Sequence, residues 1–457
     1  MSPSSSASSS ASSSASSSSS PTPSSILIVG SGAFGLSTAW ALCRNARYHD
    51  STITVVDRQP FPTPDGSSID TSRIIRPDYA AAQYTRLATA AQKRWRTDFA
   101  PSHYHEVGLA VTAWGPEQKY VSESLANVNA IGLDRTQVLS SSEDIRRACG
   151  LQATDEWGSG STGYVNWSSG WADAEGAMMW LREQVEKLGR VHFVQASVQK
   201  LLIDHHTNTV CGVRLHTATE LHADLTILAA GAWTASLIDL RGICKATGQV
   251  LCYMPVSPAE EAALAPRPTL LNLSHGLFMI PPSKGLLKVA RHGHGYTNPT
   301  TIPHPESQDP NETITISLPY THVDDPAQQV PLEGQKQCRH FLASIHPSLA
   351  TPSRPFTKSK ICWYADTRNG DFLISYHPQY KGLFVATGGS GHGFKFLPVI
   401  GDSILECIEG RTPEDFKGKW EWPSERLPED QWPGDGSRGG PVGMVLSEEM
   451  AKGRSKL

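Results

Sequence analysis

No stretch of this chain approaches the roughly 20 consecutive apolar residues that a membrane-spanning helix needs. Its longest strongly apolar runs, such as Leu225 to Trp233, have strand length. The 8 cysteines form no C-x-x-C pair and show no zinc-like spacing. Charge of either sign is in short supply: 40 basic against 44 acidic residues leave a net charge of -4. That balance excludes the basic footprint of a nucleic-acid binder. Internal repeats are absent, and no secretory signal is expected. Met1 to Ser25 is almost all Ser, Ala and Pro, without a basic start or an apolar stretch, and reads as a disordered tail. With no export signal the expected compartment is reducing, and disulfides are not expected.

What remains is an ordinary globular composition, 39% hydrophobic and 18% charged over 457 residues, enough for two packed domains. Ile26 to Val29 is a short apolar β-branched run. Gly30-Ser31-Gly32-Ala33-Phe34-Gly35 follows at once, then a helix-forming stretch from Leu36 to Arg44. A second β-branched run, Ile53 to Val56, ends at Asp57. Strand, glycine turn, helix, strand and acid make a βαβ unit. The G-x-G-x-x-G turn lets backbone N–H groups and a helix start meet a pyrophosphate, and Asp57, 22 positions beyond Gly35, is placed for ribose hydroxyls. This motif alone does not separate FAD from NAD.

Farther on, Asp173 to Leu188 reads as a helix, and Val191 to Leu202 and Val210 to Leu215 as strands. Leu225 to Ala229 reads as a buried strand ending at Ala230-Gly231-Ala232-Trp233. The predicted organisation is α/β: a nucleotide domain from 26–107, 170–240 and 359–423, with a mainly antiparallel β-sheet substrate domain from 108–169 and 241–358. Residues 424–457 are expected to form a flexible tail. Its last three residues, Ser455-Lys456-Leu457, form the tripeptide read by the peroxisomal import receptor, so a peroxisomal location is expected. Arg291-His292-Gly293-His294 has no further ligands at metal-binding spacing, and no metal site is expected.

Two further segments carry a family resemblance. Ser67 to Tyr79 reads SSIDTSRIIRPDY, and Cys362 to Gly401 pairs a cysteine with Ser-Gly-His-Gly-Phe-Lys-Phe about thirty residues later. With the glycine turn and the acid, they resemble the sarcosine oxidase, pipecolate/saccharopine oxidase and fructosyl-amino-acid oxidase family of flavoproteins, from about Ile26 to about Gly410. The resemblance implies a Rossmann-like FAD domain, oxidation of an amine C–N bond, oxygen as acceptor, and hydrogen peroxide as product. It also implies a thioether from Cys362 to the flavin, although Cys362 on its own reads as a small buried hydrophobe.

Further roles follow from the same resemblance. Arg76 and Lys395 would hold the substrate carboxylate, a task for which a guanidinium fork is suited. Arg73 would lie over the flavin, with Ser72 in a position where sarcosine oxidases carry Thr. Lys288, on a predicted strand, would activate oxygen. Val198 would meet the adenine through its backbone, and Gly231, Gly391, Gly393 and Phe394 would border the cofactor. His392 reads equally as a ligand-contacting or a core histidine. Arg73 and Arg76, three apart, would point to one side if their stretch opened a helix or turn. Ser68-Ile69-Asp70 replaces a His-containing stretch of the bacterial sarcosine oxidases, which argues against sarcosine itself. A secondary or cyclic amino acid is the first expectation for substrate, a fructosyl amino acid the second, a biosynthetic amine the third. The protein is expected to be a monomer. An NAD-dependent dehydrogenase and a non-catalytic flavoprotein remain as readings from other classes.

Overall fold

The computed structural model describes residues 21–132, 135–152, 155–328 and 330–454. Most of the Ser-rich start, and the terminal Ser-Lys-Leu, lie outside the described residues. The last residues of the expected tail are structured: Ser25–Val29 is a strand, and Ser24 and Ser25 donate backbone hydrogen bonds to Asp224.

A six-stranded sheet runs, in spatial order, Leu373–Tyr376, Leu383–Thr387, Leu225–Leu228, Ser25–Val29, Thr52–Asp57 and Val191–Gln195. All neighbours are parallel except the first pair. Its central strand is apolar at every position from Ile26 to Val29 and buried, as a parallel strand covered on both faces must be. Helices Ala33–Arg44, Ala174–Lys187 and Ile400–Ile408 pack together beside it. The stretch expected as one strand from Val191 to Leu202 divides at Ala196-Ser197. Ala196 N still bonds Asp57 O, and the chain then enters an antiparallel meander beginning with Val198–Asp204.

A second, ten-stranded sheet is mainly antiparallel and is built around the long strand Cys244–Pro255. That strand pairs with Leu286–Arg291 on one side and with Lys358–Thr367 along ten residues on the other. Cys362 therefore stands on the second sheet, although 359–423 was expected to belong wholly to the nucleotide domain. The unbroken ladder to Cys244–Pro255 decides its membership.

Arg73–Ile75 is a strand, antiparallel to Gly170–Ala172, so the condition of a helix or turn at the two arginines is not met. One further expectation fails. Residues 424–454 are docked rather than flexible. Arg438, largely but not fully buried, donates to Asp366 Oδ1 at 2.7 Å and to the carbonyls of Ser390 and Gly293, each at 2.8 Å. Met444–Val445 adds a parallel strand beside Tyr296–Thr297, and helix Leu446–Arg454 lies against Leu332–Ile345. The Gly/Pro-rich composition hides this docking because it depends on Arg438 and its distant acceptors, not on local periodicity.

Candidate active site

Between the two sheets lies a cavity of about 430 Å³. Gly30, Gly32, Ala33, Phe34 and Asp57 border it from the first βαβ unit, with Val198 and Gly231 beside them. Arg73, Gly391, Gly393 and Phe394 border its other end. The turn is as tight as the motif demands. Gly30 has φ +108°, and a Cβ on Gly35 would stand 1.9 Å from Gly30 O. Gly35 does not border this cavity; it lets the helix close onto the strand. Gly32 at the helix N-cap has no side chain to cap it and the first turn carries no acid, so no carboxylate competes there with an anion, although one N–H, that of Ala33, is already taken by Ser68 Oγ. Asp57 accepts from Ser31 N and Ser31 Oγ, both at 2.7 Å, which fixes the acid at the end of its strand. Arg58, Ser67 and Ser68 also border the cavity. Ser68 Oγ accepts from Ala33 N at 2.9 Å. Sequence reading gave none of these three a place at the cofactor, because nothing local marks a loop that folds back over a glycine turn.

Arg73, Tyr364, Gly391 and Phe394 border this cavity and also an inner one of about 60 Å³. One wall of the inner cavity is apolar: Ile74, Leu251, Leu271, Phe278 and Ile280. The other carries Arg76, Lys288, Lys395, His292 and His392. Although three residues apart on extended backbone, Arg73 and Arg76 both reach this space. Arg73 Nη2 lies 3.4 Å from Cys362 Sγ, and its Nη2 and Nε donate to Ser67 O. Cys362 is buried and shares a strand face with Tyr364, two residues on. Neither Cys362 nor Ser72 borders either of these two cavities; the Ser72 carbonyl lies behind, accepting from Lys288 Nζ at 2.8 Å.

At the carboxylate end, Arg76 is 5% exposed and lies over the Tyr79 ring, 4.9 Å from its centroid. Its Nη1 has no hydrogen-bond partner among the described residues. Lys395 borders the inner cavity only, and its Nζ donates to Tyr79 Oη and His392 O, each at 2.8 Å. Burial, and then the charge of Arg76, push Lys395 well below the usual lysine range. His392 is neutral, its pKa lowered to about 3 by burial and by Lys395. Its Nε2 lies 2.8 Å from Gly370 O, which can only accept, so the proton is on Nε2. Nδ1 then accepts from Tyr79 Oη at 3.0 Å, and that oxygen accepts from Lys395. With both ring nitrogens engaged, His392 orients Tyr79 and Lys395 and does not itself offer a base to a ligand.

Lys288 is buried rather than solvated, and its Nζ donates to Asp70 Oδ2 at 2.6 Å. His292, considered in the sequence only as a metal ligand, borders the same cavity. Burial and the cations Arg438 and Arg76 hold it well below the usual histidine range, so it is a neutral imidazole in a basic site. No local pattern could have marked it, since its position follows from strand pairing.

The long cavity, its glycine turn and its acid-free helix start fit a dinucleotide, and the inner cavity adjoins the end of it that lies near Cys362. Comparisons with known proteins agree. The chain is 33% identical to an amino acid oxidase of Aspergillus flavus, over 84% of this chain and 93% of that one. It is 30% identical to the L-saccharopine oxidase of Schizosaccharomyces pombe, over 87% and 93%. Its fold is similar to the crystal structure of a modified fructosyl peptide oxidase from Aspergillus nidulans, with a TM-score of 0.82 and 28% identity, over 93% of this chain and 98% of that one. Residues 25–406 match the FAD dependent oxidoreductases. With most of its length inside that match, the chain belongs to the family of FAD dependent oxidoreductases.

Proposed function

We propose that this chain oxidises the C–N bond of a compact secondary or cyclic amino acid, with FAD tethered to Cys362, oxygen as acceptor and hydrogen peroxide as product. One observation carries the reading: Arg76 Nη1, buried and without a partner among the described residues. An unpaired buried charge-bearing donor is costly, and a carboxylate removes that cost by a forked ion pair. Lys395 supplies the second contact, held in direction by Tyr79 and His392. The substrate carboxylate so fixed leaves its amine-bearing carbon facing the junction bordered by Arg73 and Tyr364. Such orientation alone supplies about 7–11 kcal/mol of a barrier in favourable cases.

Bound FAD supplies the two-electron acceptor for the C–N bond and hands those electrons to oxygen. The product imine is hydrolysed by water or cyclises. Lys288 offers a buried ammonium where negative charge develops on oxygen, and low dielectric strengthens that effect. Arg73, 3.4 Å from Cys362 Sγ, sets the thiol beside the cavity.

The apolar wall favours a compact amino acid over a fructosyl one. Ile74, Leu251, Leu271, Phe278 and Ile280 offer no side-chain partners to sugar hydroxyls, which would lose water without replacement. Ser455-Lys456-Leu457 would direct the chain to the peroxisome through the import receptor, confining the peroxide there, and we take the protein to work as a monomer. The test is peroxide release against pipecolate, sarcosine, N-methylated aromatic amino acids, saccharopine and fructosyl-lysine. Turnover of compact carboxylated amines is expected. Silence across them, or preference for fructosyl-lysine, would overturn the reading.

A further inference from the structure

Asp70 stands behind the inner cavity and borders neither it nor the cofactor cavity. It is only 4% exposed, yet both its oxygens are engaged. Oδ2 accepts from Lys288 Nζ at 2.6 Å and from Arg73 Nη1. Oδ1 accepts from the Tyr253 hydroxyl and from Thr71 N, the latter at 2.8 Å. One carboxylate therefore serves two cations, and both of those cations border the inner cavity. The remaining titratable and charged groups around it come from strand Lys358–Thr367. Lys360 donates to Ile69 O at 3.0 Å, and Cys362 and Tyr364 face Arg73.

We propose that Asp70 is a positioning residue for the oxygen step: its shared carboxylate holds the Lys288 ammonium in place, and charged, at the edge of the inner cavity. The proposal rests on the reading of Lys288 as the cation that meets oxygen. Burial of an ammonium favours its neutral form, and here burial leads, with Arg73 adding to it and Asp70 opposing both. The balance puts Lys288 at about 8. Burial alone would raise the Asp70 carboxyl, but Lys288 and then Arg73 hold it well below the usual carboxylate range. Asp70 thus stays ionised and lends charge, not a proton. Removal of that charge alone leaves burial and Arg73 unopposed, and Lys288 gives up its proton at lower pH. A neutral amine does not stabilise negative charge on oxygen.

The sign is fixed by this scheme. Lys288 is charged below its pKa, so reoxidation of the substrate-reduced enzyme by oxygen is constant at low pH and falls as pH rises through about 8. In Asp70→Asn the falling limb moves down by about one pH unit or more, which is about tenfold in rate above the limb. Anaerobic reduction by substrate changes far less. Stopped-flow measurement of both half-reactions from pH 6 to 9 reads this directly. Competitive acetylation of Lys288 in the resting holoenzyme, read on its peptide by mass spectrometry, gives the same midpoint without turnover. An Asp70→Asn enzyme whose limb and acetylation midpoint stay at the wild-type pH overturns the proposal. Lys288→Met separates the two readings. If it reoxidises at the wild-type rate, the role of Lys288 falls and this proposal with it. If it is slow while Asp70→Asn is normal, only Asp70 loses its assignment. Should Asp70→Asn fail to accumulate, Arg73→Gln leaves the carboxylate to Lys288 alone, and the acetylation midpoint is expected to rise; a midpoint that stays or falls overturns the sharing.

Discussion

Arg76 and Lys395 meet in one buried corner, and neither forms an ion pair among the described residues. Their chemistry yields two expectations. Arg76→Ala removes one half of a buried charge pair, for which about 2–5 kcal/mol is typical, a rise in Kd of roughly 30-fold to several thousand-fold. Titration of the enzyme with an unreactive carboxylate, followed by flavin absorbance, measures it; unaltered affinity would remove Arg76 from the site. Lys395 is held well below the usual lysine range by burial and Arg76. A bound carboxylate favours its charged form, so binding takes up a proton. Affinity is then greatest at low pH and weakens as pH rises through the Lys395 pKa of the complex. A Kd independent of pH would show that Lys395 does not change charge. These residues were legible in the sequence because a short pattern, Gly-Phe-Lys-Phe after a cysteine or Arg-Ile-Ile-Arg, carries them. Asp70 and His292 were not. Asp70 gains its meaning from Lys288, 218 positions away, and no window on the chain contains both.

At the scale of elements, the first βαβ unit was readable because its contacts are local. The glycine turn, the helix after it and Asp57 specify one another within about thirty residues. The segment after residue 423 was misread for the opposite reason. Its glycines and prolines resemble those of a loose tail, whereas Arg438 bridges Asp366, Ser390 and Gly293 and pins the segment beside the Gly388–Lys395 turn. Arg438 and Asp366 are each 13% exposed at the side chain. A loss of about 2–4 kcal/mol is expected for Arg438→Ala, somewhat less than for a fully buried pair. Denaturant unfolding of the holoenzyme would show it as a lower midpoint. A midpoint equal to wild type would mean that the segment holds without the arginine. Arg73–Ile75 teaches a related lesson: the three-residue spacing left open whether the stretch is a helix or turn, and the short strand pairing to Gly170–Ala172 settles it as a strand.

In the whole molecule, the cofactor cavity lies where the parallel sheet and the antiparallel sheet face each other, so a cofactor there joins them. Ligand that binds only the folded state adds about 2.7 kcal/mol at a hundredfold excess over Kd. Cys362→Ala is expected to leave flavin that acid precipitation releases, and the flavin-free form of that variant should melt below its flavin-loaded form. Pigment retained in the precipitate would refute the tether; equal melting temperatures would refute the joining role. The placement of Cys362 on the antiparallel sheet was not legible in composition, since strand partners are set by the register with Cys244–Pro255. One consequence remains in the boundary that Arg73, Tyr364, Gly391 and Phe394 share between the two cavities. A change at any of the four alters prosthetic-group retention and ligand choice together, so selection there is doubly constrained. Divergence toward new amines is freer across the apolar partition of Leu251, Leu271, Phe278 and Ile280, where a methylene gained or lost re-sizes one chamber and leaves the other untouched.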